Sequence, residues 1–175
     1  MGRLENTILY LLTRANLKGL DNLSKIELFK LVFLLEVESY RFTGKSFFDS
    51  ISFVREKNGP ISIDIFRALE KLNDKYINIK ETKKPDYTHS RHCISLKKQI
   101  KKFDFKESEV LFMNSVFESY LGLTIKKLKE IVYNTEPMKE ILAEEKKAKT
   151  DILSGLRISF ESIPLDEDIL EIITA

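Results

Sequence analysis

Residue types that build chemical sites are scarce in this 175-residue sequence. A single cysteine, Cys93, excludes a disulfide within the chain and suits a reducing compartment. The six glycines are scattered as turn residues rather than gathered in a phosphate-binding loop. No nucleophile, base and orienting group stand in a recognisable catalytic pattern. The sequence therefore predicts a protein that is not an enzyme and that holds no cofactor.

The two histidines, His89 and His92, are the only other candidates for a metal site together with Cys93. A tetrahedral site would need a further ligand and a shared face. On a strand, His89 and Cys93 would point to one face and His92 to the other, because side chains alternate. We therefore predict no bound metal.

The chain also has little excess of one charge over the other, since the formal net charge is only +2. This near balance does not require a nucleic-acid or membrane partner. The first twelve residues contain no long apolar core, so we predict no signal peptide. The most apolar stretch is too short to cross a membrane. These features predict a soluble cytoplasmic protein.

The stretch from residue 24 to 37 reads SKIELFKLVFLLEV and predicts the central helix of the fold. Ser24 and Glu27 stand three residues apart, the spacing of a capping box at a helix start. The helix they would begin is apolar on nearly every side, apart from Glu27 and Lys30. Such a helix must be covered all round by other elements.

Other segments predict a small sheet and further helices around that central helix. Alternating residues predict a strand over residues 49–56. Asn58, Gly59 and Pro60 predict a sharp turn after it, because glycine tolerates positive φ and proline does not continue a strand ladder. Helical spacing predicts helices over residues 4–17, 62–74, 105–121, 124–134 and 137–149, and residues 76–80 and 89–96 predict a hairpin.

We therefore predict an α+β fold, a mostly helical single domain with a small antiparallel sheet of about three strands packed against a central buried helix. Residues 1–150 would form this domain. Residues 151–175, which carry six acidic residues against Arg157 alone, would form an acidic helical extension.

The segment from Lys75 to Lys102 is basic, with nine lysines and arginines against two acidic residues. A solvated hairpin is the favoured interpretation, since charge runs usually lie in solvent. The alternative is a winged-helix-like DNA-binding regulator, in which this hairpin touches phosphates. The helix before the hairpin would then be the recognition helix, but its positive and negative charges balance, which suits DNA poorly. Three side chains are the candidate nucleic-acid contacts: Lys83, Lys84 and Arg91.

Two segments in order carry a family resemblance: LSKIELFKLVFLLEVES, and then ISFVREKNGPISIDIFRALEKL. Together they resemble the Panacea domain of the SocA-like antitoxin-associated family. The resemblance extends from residue 6 to about residue 142, and the segment after Thr150 has no counterpart in the pattern. Its signature residues here are Lys30, Leu31, Phe33, Asn58, Gly59 and Pro60.

The resemblance implies an antitoxin of a prokaryotic toxin–antitoxin system, which binds and neutralises a partner toxin protein. In one branch of the family, the antitoxin presents its toxin to a protease. Nothing in the resemblance implies an active site. Burial explains Leu31 and Phe33, and the turn explains Gly59 and Pro60, so the signature locates the fold and not the partner-binding surface.

Overall fold

A computed structural model of the chain describes residues 1–83 and 91–166. These residues form six helices and five strands, which confirms the predicted α+β class. In chain order they are α1 (Arg3–Leu17), β1 (Leu23–Ser24), α2 (Lys25–Thr43), β2 (Val54–Glu56), β3 (Gly59–Ile61), α3 (Ile63–Leu72), β4 (Ile77–Thr82), β5 (Arg91–Leu96), α4 (Glu107–Tyr120), α5 (Ile125–Tyr133) and α6 (Glu136–Lys147).

Helix α2 is the centre of the molecule, as predicted. It begins with the expected capping box: the Ser24 hydroxyl accepts from the Glu27 amide, and the Glu27 carboxylate accepts from the Ser24 amide at 2.7 Å. Every residue from 28 to 37 is buried. The helix contacts α4, α5 and strands β1, β3 and β5, so it is covered on several sides. It ends where Gly44 takes the left-handed conformation.

The strands form two separate antiparallel sheets. One sheet has the order β1-β5-β4, and the other pairs β2 with β3. The predicted hairpin is confirmed, since β4 and β5 pair from Ile77 opposite Leu96 to Thr82 opposite Arg91. The prediction of a strand over residues 49–56 is wrong for residues 49–53, because only Val54–Glu56 pairs. The third strand of the larger sheet is instead the two-residue β1, just before α2.

The turn at Asn58-Gly59-Pro60 is present, but Pro60 lies inside β3, which the sequence did not predict. Pro60 stands opposite Arg55 in the β2–β3 pair. The Arg55 amide donates to Leu156 O and the Arg55 carbonyl accepts from Gly155 N, so neither faces β3. Pro60 therefore occupies a pair position at which its missing N–H is not needed.

The segment after α6 closes one side of the core. Ile158, Phe160 and Ile163 are buried, and the Phe160 ring lies 5.5 Å from Phe33 of α2. Residues 151–166 form turns and extended stretches and no helix, whereas the rest of the predicted helical extension lies outside the described residues. The division of the chain at residue 150 stays a prediction. Within the described ranges, no helix has both the length and the apolar character that a membrane span needs.

Candidate functional site

The two halves of the signature meet in space at Lys30. Its ammonium Nζ donates a hydrogen bond to the Asn58 carbonyl O at 2.6 Å. Only 2% of Lys30 is exposed, so the lysine is a core residue that holds the β2–β3 turn against α2. Leu31 and Phe33, the two signature residues that follow Lys30 on α2, are also buried. The sequence showed Lys30 as a break in an apolar helix and gave no sign of what it bonds.

Gly59 lets the turn approach that ammonium. Its φ of +109° lies in the region that residues with a side chain rarely adopt. A Cβ atom at this position would lie 3.0 Å from Lys30 Nζ and 3.5 Å from Tyr133 Cε2. Both the backbone conformation and the available space therefore select glycine here.

A buried ion pair joins strand β2, which leads into this turn, to helix α6. Arg55 Nε lies 2.8 Å from Glu145 Oε1, and the two residues are 4% and 5% exposed. Arg55 Nη1 also donates to the Tyr133 hydroxyl at 2.9 Å and to the Glu56 carbonyl. Glu145 accepts a further bond from the Leu153 amide at 3.0 Å. The pair thus links β2, α5, α6 and the segment after α6.

Burial opposes both charges of this pair, but the contacts outweigh burial. The hydrogen bonds and charge attraction from Glu145 and Tyr133 leave the pKa of Arg55 above its usual value. Those from Arg55 and the Leu153 amide leave the pKa of Glu145 below its usual value. Both groups are therefore charged at neutral pH.

Lys30 has no such compensation. Burial, followed by the positive charges of Lys129 and Arg55, lowers its pKa from 10.5 to about 8. Among the described residues, its hydrogen-bond partner is a neutral carbonyl. Three cations thus lie near the turn: Lys30, Arg55 and Lys129. Of these, Arg55 is paired with a carboxylate, that of Glu145.

An exposed apolar patch lies on the first turns of α2 and α3. We call it the α2–α3 patch, and it consists of Ile26, Ile63 and Phe66, which are 39%, 61% and 37% exposed. The Phe66 ring packs on buried Phe29 at 4.8 Å, so the patch rests on the core. Lys25 Nζ lies 5.6 Å from the centre of the Phe66 ring. The three side chains therefore leave apolar surface open to solvent at the starts of these two helices.

The residues proposed for DNA contact are only partly placed. Lys83 is exposed at the end of β4, whereas Lys84 lies outside the described residues. Arg91 forms an ion pair with Glu27 at 3.2 Å and so ties the hairpin to the start of α2. Of the metal candidates, His92 and Cys93 lie on β5 and His89 is not described. Across residues 1–83 and 91–166, no three His, Cys, Asp or Glu side chains come together as metal ligands.

A polar cleft of about 540 Å³ lies on another face, lined by Glu36, Tyr40 and Arg157 among others. Glu36 is its buried carboxylate, at 1% exposure, and burial raises its pKa above the usual range. Its Oε2 accepts from the Phe47 amide at 3.0 Å. This bond gives Glu36 a structural task, because it fixes the loop that follows α2.

Fold and site together define a mostly helical α+β domain whose buried polar cluster fixes a turn and whose apolar patch faces outward. The family described as antitoxin SocA-like, Panacea domain, matches residues 28–138, more than half of the chain. The chain therefore belongs to that family, and the expected resemblance is confirmed. Its Lys30 and its Asn58-Gly59-Pro60 turn both lie inside the matched range. No curated protein and no solved structure matches the chain significantly.

Proposed function

We propose that this protein is a non-enzymatic antitoxin that acts in the cytoplasm of a prokaryotic cell by binding and neutralising a partner toxin protein. Membership of the SocA-like antitoxin family is the observation that carries the proposal. The α2–α3 patch supports it, because exposed apolar side chains seated on a rigid core are suitable anchors for a protein partner. Delivery of the bound toxin to a protease is the finer form of the same proposal.

The test is co-expression with the protein encoded by the neighbouring reading frame. That protein should arrest growth when it is expressed alone, and this chain should restore growth and co-purify with it. Loss of the toxin protein over time in rescued cells would indicate proteolytic delivery, whereas a stable complex would indicate simple sequestration. Growth arrest that persists despite expression of the folded chain would contradict the antitoxin proposal.

A variant separates binding from folding in the same assay. Ile63→Asp changes a side chain that is 61% exposed, so the fold should survive while a partner contact at the patch is lost. Leu111→Asp on α4 is the matched control, because Leu111 is 63% exposed and lies outside the patch. We expect rescue to fail with the first variant and to persist with the second.

A further inference from the structure

The polar cleft lies between helix α2 and two segments that are far apart in the chain. Glu36 and Tyr40, one turn apart on α2, form its floor. One wall is the loop that follows α2, and the other is the segment that follows α6. The walls are joined where Ile158 N donates to the Phe53 carbonyl at 2.9 Å. With a volume of about 540 Å³, the cleft is in the size range of small-ligand pockets.

The wall formed by the segment after α6 holds two opposite charges apart. Ile158 and Phe160 are buried, and their exposed neighbours Arg157, Ser159 and Glu161 line the cleft. The three lining side chains alternate with the buried ones, so they share one face of an extended stretch. At about 3.3 Å per residue, its positive and negative ends are about 13 Å apart. This separation explains why Arg157 and Glu161 do not form an ion pair with each other.

Carboxylates gather at the end that holds Glu161. Burial raises the pKa of the Tyr40 hydroxyl, and the negative charges of Glu36 and Glu161 raise it further. Asp49 lies on the opposite wall, and its charge adds to the burial that raises the pKa of Glu36. Within residues 1–83 and 91–166, none of these three carboxylates has a basic side chain within ion-pair distance. This end of the cleft is therefore negative.

Arg157 makes the other end positive. It lies opposite Val54 in an isolated β-bridge, which places it near Ser52 on the other wall. In the described part of the chain, its guanidinium has no carboxylate within ion-pair distance. A serine hydroxyl both donates and accepts, so it can bond to the N–H and C=O groups of a peptide. Four serines complete the polar lining: Ser46, Ser50, Ser52 and Ser159.

We propose that this cleft binds a short peptide with free termini, its carboxylate beside Arg157 and its ammonium beside Glu36 and Glu161. An extended tripeptide spans about 10 Å, which suits side chains that reach inward from ends about 13 Å apart. A single amino acid carries both charges on one carbon and cannot reach both ends. A purely cationic ligand would leave Arg157 unpaired, and a purely anionic one would meet three carboxylates. The inference is independent of the antitoxin proposal, because other residues form the α2–α3 patch.

Isothermal titration calorimetry of the full chain with unblocked trialanine tests the proposal. N-acetyl-trialanine and trialanine amide each lack one of the two terminal charges. We expect each blocked peptide to bind about tenfold more weakly than the unblocked one, the loss typical of one hydrogen bond to a charged group.

Two variants assign each terminus to one end of the cleft. Arg157→Gln should weaken the unblocked peptide about tenfold and leave the binding of trialanine amide unchanged. Asp49→Asn/Glu161→Gln should weaken the unblocked peptide similarly and leave the binding of N-acetyl-trialanine unchanged. All three side chains are exposed, so the fold should be kept, and circular dichroism checks this. Arg67→Gln and Glu70→Gln, at exposed positions outside the cleft, are the matched controls and should not affect binding.

Several results would overturn the inference. Equal binding of the three peptides would do so, as would the absence of saturable binding of unblocked trialanine at millimolar concentration. A loss in Arg157→Gln that is just as large for trialanine amide would show that Arg157 does not hold the carboxylate. Unchanged affinity in the Asp49→Asn/Glu161→Gln variant, or equal losses in the two controls, would likewise exclude the site. None of these measurements involves a toxin, so the antitoxin proposal depends on the rescue assay alone.

Discussion

Replacing Gly59 with alanine tests the structural account of the signature directly. Alanine adds one methyl group at a backbone φ of +109°. That methyl would lie 3.0 Å from Lys30 Nζ, which is tighter than an ordinary contact. Lys30 is buried and bonded to the Asn58 carbonyl, so its ammonium cannot move away without weakening that bond.

Two costs add in this variant. A residue with a side chain in a sparsely populated backbone region costs about 1–3 kcal/mol. Displacing a buried ammonium from its acceptor adds about 1–2 kcal/mol, in the range for a buried donor that loses its partner. We expect Gly59→Ala to lower the free energy of unfolding by about 2–5 kcal/mol in total.

A double-mutant cycle with Lys30→Met separates the two costs. Methionine keeps a long apolar side chain but removes the ammonium and its bond, so only the backbone cost of Gly59→Ala should remain in that background. The expected coupling between the two sites is about 1–2 kcal/mol, typical of residues in contact. Urea unfolding followed by circular dichroism measures it, since the chain has no tryptophan to report by fluorescence.

The outcomes discriminate clearly. An equal cost of Gly59→Ala in both backgrounds would refute the contact with Lys30 and leave only backbone strain. An unchanged unfolding midpoint in the wild-type background would refute both parts of the reasoning, and Gly59 would then be present for a reason unrelated to the fold.

Three further predictions concern charge. Because the pKa of Lys30 in the folded chain is about 8 and its ordinary value is 10.5, the unfolded chain holds more protons between these pH values. The free energy of unfolding of the wild type should therefore rise from pH 8 to 10.5 by up to about 3 kcal/mol relative to that of Lys30→Met. If the difference between the two proteins were the same at every pH, the lowered pKa would be contradicted. Glu145→Gln should destabilise the fold by about 3–5 kcal/mol, because it leaves the buried Arg55 without its carboxylate. A loss of about 1 kcal/mol or less in urea unfolding would mean that Tyr133 and the Glu56 carbonyl are enough to stabilise the buried guanidinium. Rescue from the toxin should survive neutralisation of the three candidate DNA contacts of the hairpin, Lys83, Lys84 and Arg91. Nanomolar binding of duplex DNA that is lost in this triple variant would favour the DNA-binding alternative instead.

Local patterns predicted the helices well because each helix carries its own signals. The capping box at Ser24 and Glu27 and the apolar run behind it fix the start and the burial of α2 whatever packs on them. Thr124 likewise caps α5, where its hydroxyl accepts from the Lys127 amide at 3.2 Å. The hairpin of β4 and β5 followed from two short strand-like runs close together in the chain.

The strands that rest on distant partners were not predictable in the same way. Strand β1 has only two residues and exists because β5, some seventy residues later, offers them an edge. Residues 49–53 alternate like a strand, yet no neighbouring strand pairs with them in the described fold. Alternation marks which side chains are buried, as for Phe53 at 0% exposure, but pairing requires a partner that the local sequence does not specify.

By itself, the sequence determined the central buried helix, the sharp turn at Gly59 and the resemblance to the SocA-like antitoxin family, because all three are written in short, contiguous patterns. Only the tertiary structure decided that Lys30 is buried against that turn, that Arg55 pairs with Glu145 across 90 positions, and that Ile26, Ile63 and Phe66 stay exposed at the starts of α2 and α3. The physical reason is that burial of a charge, and exposure of an apolar side chain, depend on which elements pack together and not on the residues beside them in the chain.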